Sequence, residues 1–396
     1  FSVSSIFAQE KKMLTPNDAA YMNRSIYPVG KNVKWLPNAD KYLFTDTENP
    51  NNLMIQDVNA KTAKVFLTLD QVNSYLNHAG IDSVKRLPNL TWLDAEKAYY
   101  NNSINLNLLD LKTKNIKKVT SIPSNAENYT ITTPSLKVAY TIDNNLYFAD
   151  GDKQVQVTDN PENVVAGQSV HRNEFAINGG IFWSPDGNKL AYYNMDESMV
   201  TDYPLVDITE RVATAKPIKY PMAGMKSHEV KLHIYDVASG KELIVKTGEP
   251  AEQYLTSITW NPDNERVYIG VLNRGQNHLQ FNEYSALNGD YIQTIFEDKD
   301  DQYVEPVGPA HFLPNNTNEF LWLAQRDGFY HIWKHNVETK EAKQITKGDF
   351  VITAFEGFDK KGDNIYYTST EVSPLERHFY KHNLKSGKKV KISKEH

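Results

Sequence analysis

The 396-residue chain contains no cysteine. That excludes a disulfide framework, a thiolate zinc site and a cysteine nucleophile, and it leaves the compartment open, because exported bacterial proteins can do without disulfides. After the amino terminus no window approaches the roughly 20 apolar residues of a membrane-spanning helix. Basic runs are missing too: 43 Lys and Arg stand against 49 Asp and Glu, a formal charge of −6, which argues against nucleic acid as a partner. Neither a Gly-rich phosphate loop nor a Gly-x-Ser-x-Gly elbow occurs. The nearest approach to the elbow, Gly167-Gln168-Ser169-Val170-His171, lacks the closing glycine and any following helical pattern. His331 and His335, like His378 and His382, have a metal-site spacing only if they sit on helices. Both pairs lie in strand patterns, where four residues span about 13 Å. We therefore expect no metal, no cofactor and no catalytic residue in this chain.

What the chain has in quantity is aromatic surface, 11% of residues with 23 Tyr, and wide flat side chains suit pleated sheets. Two short helices are predicted. One is capped by Thr15-Pro16 and runs through Ala19, Ala20 and Met22; the other has a Thr68/Gln71 capping box ahead of Val72 and Leu76 and stops at Gly80. Nearly everything else alternates like strand. A unit recurs in which an apolar strand ends in a polar turn and a second, often Tyr-rich strand follows, as in Ile181 to Tyr193 and Ile258 to Gly270. Equivalent turn positions fall at Pro37, Ala95, Pro134, Pro185, Pro262, Pro314 and Lys360, with intervals of 58, 39, 51, 77, 52 and 46 residues.

Most of these intervals match one four-stranded blade, so the predicted fold is all-β, a β-propeller with seven blades visible. A lone blade has two apolar faces and must stack on neighbours to cover them. A β-sandwich is the competing reading, since Asp-Gly and Pro-Asp turns occur there as well. The long fourth interval places an extension at residues 204–229, either an interaction element or a tolerated insertion. Residues 1–10 read as the remnant of an export signal, leaving 11–396 as the propeller and a periplasmic or extracellular location.

One segment concentrates polar groups: Ser169, His171, Arg172, Asn173 and Glu174 crowd together before the inner strand of the fourth repeat. In a propeller this connection can reach the central cavity, where a shielded carboxylate can bind an ammonium group. The alternative is a loop carboxylate paired with Arg172 or simply solvated. Tyr303, Glu305 and Pro306 precede the sixth hairpin as Glu174 precedes the fourth, and either face the cavity or pack at a blade edge. Asp196-Glu197 reads as a solvated strand end or part of the same anionic wall. Arg326-Asp327-Gly328 reads as a hairpin turn with a structural role only.

The run from Ser169 through Asp207, with the segments Tyr220 to Val230, Thr247 to Asp263, Tyr303 to Pro314, Arg326 to Trp333 and Ser373 to Tyr380, resembles the propeller domain of the dipeptidyl peptidase IV branch of the prolyl oligopeptidase superfamily. Within that branch it is most similar to bacterial prolyl tripeptidyl peptidases, which share an "HxNEF" segment. The resemblance implies eight blades and an own C-terminal α/β-hydrolase domain that bears the Ser, Asp and His triad outside this chain. It implies peptide substrates with a free N-terminus, gripped by two adjacent propeller glutamates. Here Glu174 falls on one of those positions and Asn173 on the other, so one carboxylate is an amide, a departure that favours tripeptide release over simple dipeptidyl activity. Tyr303 and Glu305 stand where the family's arginine and aromatic contacts are not matched. The blade-four extension at 204–229 resembles the element that family members use to form homodimers.

The implied function is substrate gating and N-terminus recognition for an exported serine exopeptidase cleaving after proline, with this chain inactive alone. A free-standing propeller acting as a protein-binding scaffold is the alternative. With an eighth blade yet to begin at His396, the open edge is expected to make the isolated fragment oligomerise or be only marginally stable; size-exclusion chromatography showing a stable monomer would count against that expectation.

Overall fold

The computed structural model describes residues 13, 15–21, 33–102, 104–133, 135–314 and 316–394. The export-signal reading of residues 1–10, the Met22 end of the first helix and the Pro134 turn lie outside them. The chain divides into two compact units, Phe1–Lys118 and Val119–His396.

In the first unit, strands Lys34–Trp35, Lys41–Thr45, Asn52–Asp57 and Lys64–Thr68 pair in chain order to make the first blade. The second blade follows the same order with Thr91–Trp92, Lys97–Asn102, Asn105–Asp110 and Asn115–Ser121. Between them lies the helix Leu69–His78. Thr68 Oγ1 accepts from the Gln71 amide at 3.2 Å while Gln71 Oε1 accepts from the Thr68 amide at 2.9 Å, the reciprocal cap that the sequence predicts. Its buried face, Val72 and Leu76, packs with Leu43, Ile55, Trp92 and Leu109 in one core.

Five more blades make up the second unit, and four of them are simple meanders: Glu127–Ile131 to Lys153–Gln156, Gln253–Trp260 to Tyr291–Lys299, His311–Phe312 to Ala342–Gln344, and Ile352–Phe358 to Lys389–Lys391. Their central strands are covered on both faces. Arg266–Asn273 is buried over six consecutive positions, whereas a one-sided sheet would alternate. Each pair of consecutive blades in this unit shares its own core. Ala139, Leu146 and Phe148 meet Leu190 and Tyr192, Leu232 and Ile234 meet Val267 and Ile269, Tyr268 and Phe281 meet Phe320 and Trp322, and Leu321 and Ile332 meet Ile365 and Tyr367. Six four-stranded sheets and the five-stranded sheet of the fourth blade make the fold an all-β propeller of seven blades, as the repeat predicts. Both histidine pairs lie on strands, His331–Asn336 and His378–Asn383.

The fourth blade departs from the meander. Its long strand Lys189–Asp196 pairs on one side with Glu229–Asp236, and on the other with two short strands, Val164–Ala166 and Ile181–Trp183. Val164 to Ala166 oppose Asp196 to Asn194, Ile181 to Trp183 oppose Tyr192 to Leu190, and Tyr193 falls in the gap. Two hydrogen bonds bridge it: the Gly167 amide donates to Tyr193 O at 2.9 Å, and the Tyr193 amide donates to Gly180 O at 3.0 Å. The inner strand therefore leaves the sheet after Gly167 and rejoins it at Gly180. Gly167 has a φ of +71°, and a Cβ on Gly180 would lie 2.0 Å from Gln168 O, so both ends of this neck require glycine.

Strands Asp202–Asp207 and Thr214–Lys219 form the extension, a separate two-stranded ribbon in which Pro204 sits opposite Pro217. The ribbon begins two residues before the predicted 204–229. The proline is inside it because a two-stranded ribbon has free edges and tolerates a missing donor.

Gly180→Ala must push the neck open, and we expect it to cost roughly 1–3 kcal/mol, the range for overpacking a closed site. Thermal denaturation of the variant checks this; an unchanged Tm would show that the neck can yield.

Candidate functional site

Residues 168–179, the excursion from the broken strand, carry the polar cluster. His171–Asn173 form one 3₁₀-type turn of left-handed residues with φ of 50°, 56° and 62°; Phe175 and Ala176 follow at 56° and 59°. Such a run is unfavourable for non-glycine residues and persists only where the surroundings fix it. Here the amides of Asn173, Glu174 and Ile177 donate to Val170 O, His171 O and Glu174 O at 3.1–3.2 Å. Thr256 Oγ1 of the next blade donates to Phe175 O, and Ser169 Oγ is bonded to Asn173 Oδ1. Val170 and Ile177 are buried in the core shared with that blade.

The loop exposes Glu174 into a cavity of about 370 Å³, lined also by Asn173, Phe175, Gln276, Tyr303 and Glu305. Glu174, Asn173, Tyr303 and Glu305 thus line one cavity. Among the described residues the Glu174 carboxylate has no hydrogen-bond or ion-pair partner. Arg172, its one candidate partner by sequence, instead lies over the Tyr220 ring with Cζ 4.3 Å from the centroid. Across the cavity, Tyr330 donates from its hydroxyl to Glu305 O at 3.3 Å and to Glu305 Oε2 at 3.4 Å. Burial, then the Glu305 charge and the neighbouring Tyr303, push the Tyr330 phenol up to about 12. The Val304 amide donates to Gln276 O at 2.7 Å, tying this wall to blade five.

A second cavity of about 380 Å³ shares Glu174 and Gln276 with the first. It also holds Glu197, whose carboxyl is raised by burial and by Asp196 and Asp202 against the opposing charge of Lys219. Glu197 is therefore half-buried in a cavity wall and is not a solvated strand end. Four residues that sequence reasoning missed line the same space: His228, Tyr254, Arg274 and Gln276. They come from the extension and blade five, where Gln276 reads as a hairpin residue like any other. Arg326, assigned a turn role from sequence, does more. It pairs with Asp298 at 2.6 Å, lies 3.2 Å from His335 Nε2 and stacks between Phe296 and Trp333. Asp-Gly turn chemistry gave no hint of those partners. Among the described residues no His, Asp and Glu group is arranged to hold a metal.

His171 Nδ1 is 2.8 Å from His228 Nε2. Burial, then the charges of His228 and Arg274, push His171 down to about 3, so both rings are neutral near pH 7 and one donates to the other. An unfolded histidine titrates near 6.5, so between about 6.5 and 3 the unfolded chain binds the proton that folded His171 refuses. Stability falls as pH drops through that window. Denaturant unfolding between pH 4 and 7 is expected to show this slope, and His171→Gln to reduce it by about one proton's share; an identical slope in the variant would remove the assignment.

A family model described as the dipeptidyl peptidase IV (DPP IV) N-terminal region matches residues 95–396. Dipeptidyl peptidase 4 of Felis catus is 23% identical over 94% of this chain and 54% of its own length. A solved structure from Bacteroides ovatus ATCC 8483, described as a dipeptidyl aminopeptidase IV, superposes with a TM-score of 0.82 at 33% identity, over 91% of this chain and 53% of that one. Porphyromonas gingivalis dipeptidyl peptidase 4 has a TM-score of 0.76 at 21% identity, over 97% and 56%, a likeness of fold. The chain spans about half the length of the relatives it matches. The match over residues 95–396, more than half of the chain, places it in the dipeptidyl peptidase IV N-terminal region family.

Proposed function

We propose that this chain is the substrate-gating, N-terminus-recognising propeller of an exported serine exopeptidase that cleaves after proline near free peptide N-termini. The observation that carries the reading is the Glu174 carboxylate, uncommitted to any described partner and facing a cavity of about 370 Å³ with Asn173, Tyr303 and Glu305. A peptide ammonium placed there donates a charge-assisted hydrogen bond to the Glu174 carboxylate, stronger than one between neutral groups. Glu305, partly engaged by Tyr330, supplies a second acidic wall, and Tyr303 an aromatic one.

Anchoring one end of the substrate converts recognition into measurement: the distance from Glu174 to a serine in the hydrolase domain sets how many residues come off. The amide at Asn173 removes one negative charge and has its oxygen engaged by Ser169, which weakens a two-carboxylate grip and supports release of three residues. The narrow opening of a propeller keeps folded proteins out. The chain alone supplies no nucleophile in this reading. The extension exposes Leu205, Val206, Ile208 and Val212, an apolar surface suited to a homodimer contact.

In the full-length protein, Glu174→Gln is expected to lower kcat/KM for free-amine peptides by roughly ten- to a hundredfold, the worth of one charged hydrogen bond, while an N-acetylated counterpart shows little of that loss. Unchanged turnover of the free-amine peptides would remove the anchor.

A further inference from the structure

The second cavity has a charge pattern that the ammonium anchor does not use. Two guanidinium groups line it, Arg172 and Arg274, and among the described residues neither has a carboxylate partner. Two other guanidiniums of the unit do have one: Arg326 pairs with Asp298 at 2.6 Å and Arg266 with Glu283 at 3.3 Å. Arg172 and Arg274 are held by aromatic rings instead. Arg172 Cζ sits 4.3 Å from the Tyr220 centroid and Arg274 Cζ 5.6 Å from that of Tyr254, whose hydroxyl accepts from Arg274. Stacking on a ring orients a guanidinium and leaves its charge uncompensated.

Two other ionisable groups line the cavity, Lys219 and Glu197. Lys219 bonds Val200 O at 3.2 Å and Asp202 at 3.0 Å. Glu197 is half-buried, and burial favours its neutral form. His171 lines the same cavity, only 8% exposed, with Nε2 buried and unpartnered, a polar group that the protein itself leaves unsatisfied. Two exposed cations, His171 and two tyrosines therefore line one cavity together with Glu174.

We propose that this cavity receives the side chain of the peptide's amino-terminal residue and selects an acidic one, aspartate or glutamate. The inference rests on the reading that Glu174 holds the terminal ammonium. An amino-terminal acidic residue carries its ammonium and its side-chain carboxylate a few bonds apart, and here an unpaired carboxylate adjoins two unpaired guanidiniums in one cavity. A planar guanidinium donates two parallel hydrogen bonds to a carboxylate, so the pair provides orientation as well as charge. Lysine or arginine at the same position meets like charge.

The test uses the full-length protein and peptides that differ only in the first residue, Glu, Gln or Lys, each with a free amine. We expect kcat/KM to favour Glu over Gln by about tenfold, the effect of one charge-assisted contact, and to be lowest for Lys. In Arg172→Gln and in Arg274→Gln the Glu to Gln ratio falls towards one, and Arg274→Lys retains part of it. High salt lowers the ratio in the native protein, as it does for partly exposed charges. A native ratio near one, or a ratio unaltered by both substitutions, overturns the acidic pocket. Failure of the anchor itself reads differently, as equal turnover of free and N-acetylated Gln peptides.

Discussion

Tyr193 holds the fourth blade together at the place where its inner strand is interrupted. Its carbonyl accepts from Gly167 and its amide donates to Gly180, so a twelve-residue excursion leaves and rejoins the sheet without stranding a backbone group. The phenol is fully buried and donates to Leu255 O at 2.6 Å, and burial raises it far above its ordinary range. One residue thus closes the neck of the loop and fixes it against blade five. That closure fixes the two ends of the loop, while the left-handed turn from His171 to Asn173 is held from within by its own backbone hydrogen bonds.

The excursion is supported from both sides by blade packing. Val170 and Ile177 enter the core shared by blades four and five, alongside Leu232, Leu255 and Ile269. Phe175 stands at the edge of the next core, 4.6 Å from the Tyr254 ring. Polar residues between these anchors are thereby held at the surface of two cavities, with apolar neighbours paying for the backbone conformation. The same division recurs around Glu305, where Tyr330 and the Val304 to Gln276 bond position an exposed carboxylate.

Electrostatics then separates two adjoining spaces. One is walled by Glu174 and Glu305, the other by Arg172 and Arg274, and Glu174 and Gln276 border both. Aromatic rings under the guanidiniums keep those charges from collapsing onto nearby carboxylates, because a cation over a ring face is attracted by the quadrupole and still presents its N–H groups. The neutral His171 and His228 pair lines the second of these spaces.

Blade number, blade spacing and the second helix were legible in the sequence, since each depends on local patterning. A strand in a stacked blade must be apolar at nearly every central position, and a turn must be polar, whatever lies elsewhere in the chain. Glu174 was legible as a candidate because polar residues crowd a short stretch before an apolar strand. Its surroundings were not. Gln276 and Tyr303 lie more than 100 residues further along, Arg172 found Tyr220 in place of Glu174, and Arg326 found Asp298 from a preceding strand. Partner choice of this kind is decided by how faces of separate sheets stack, and a pattern of local alternation carries no information about which distant side chains that stacking brings within reach.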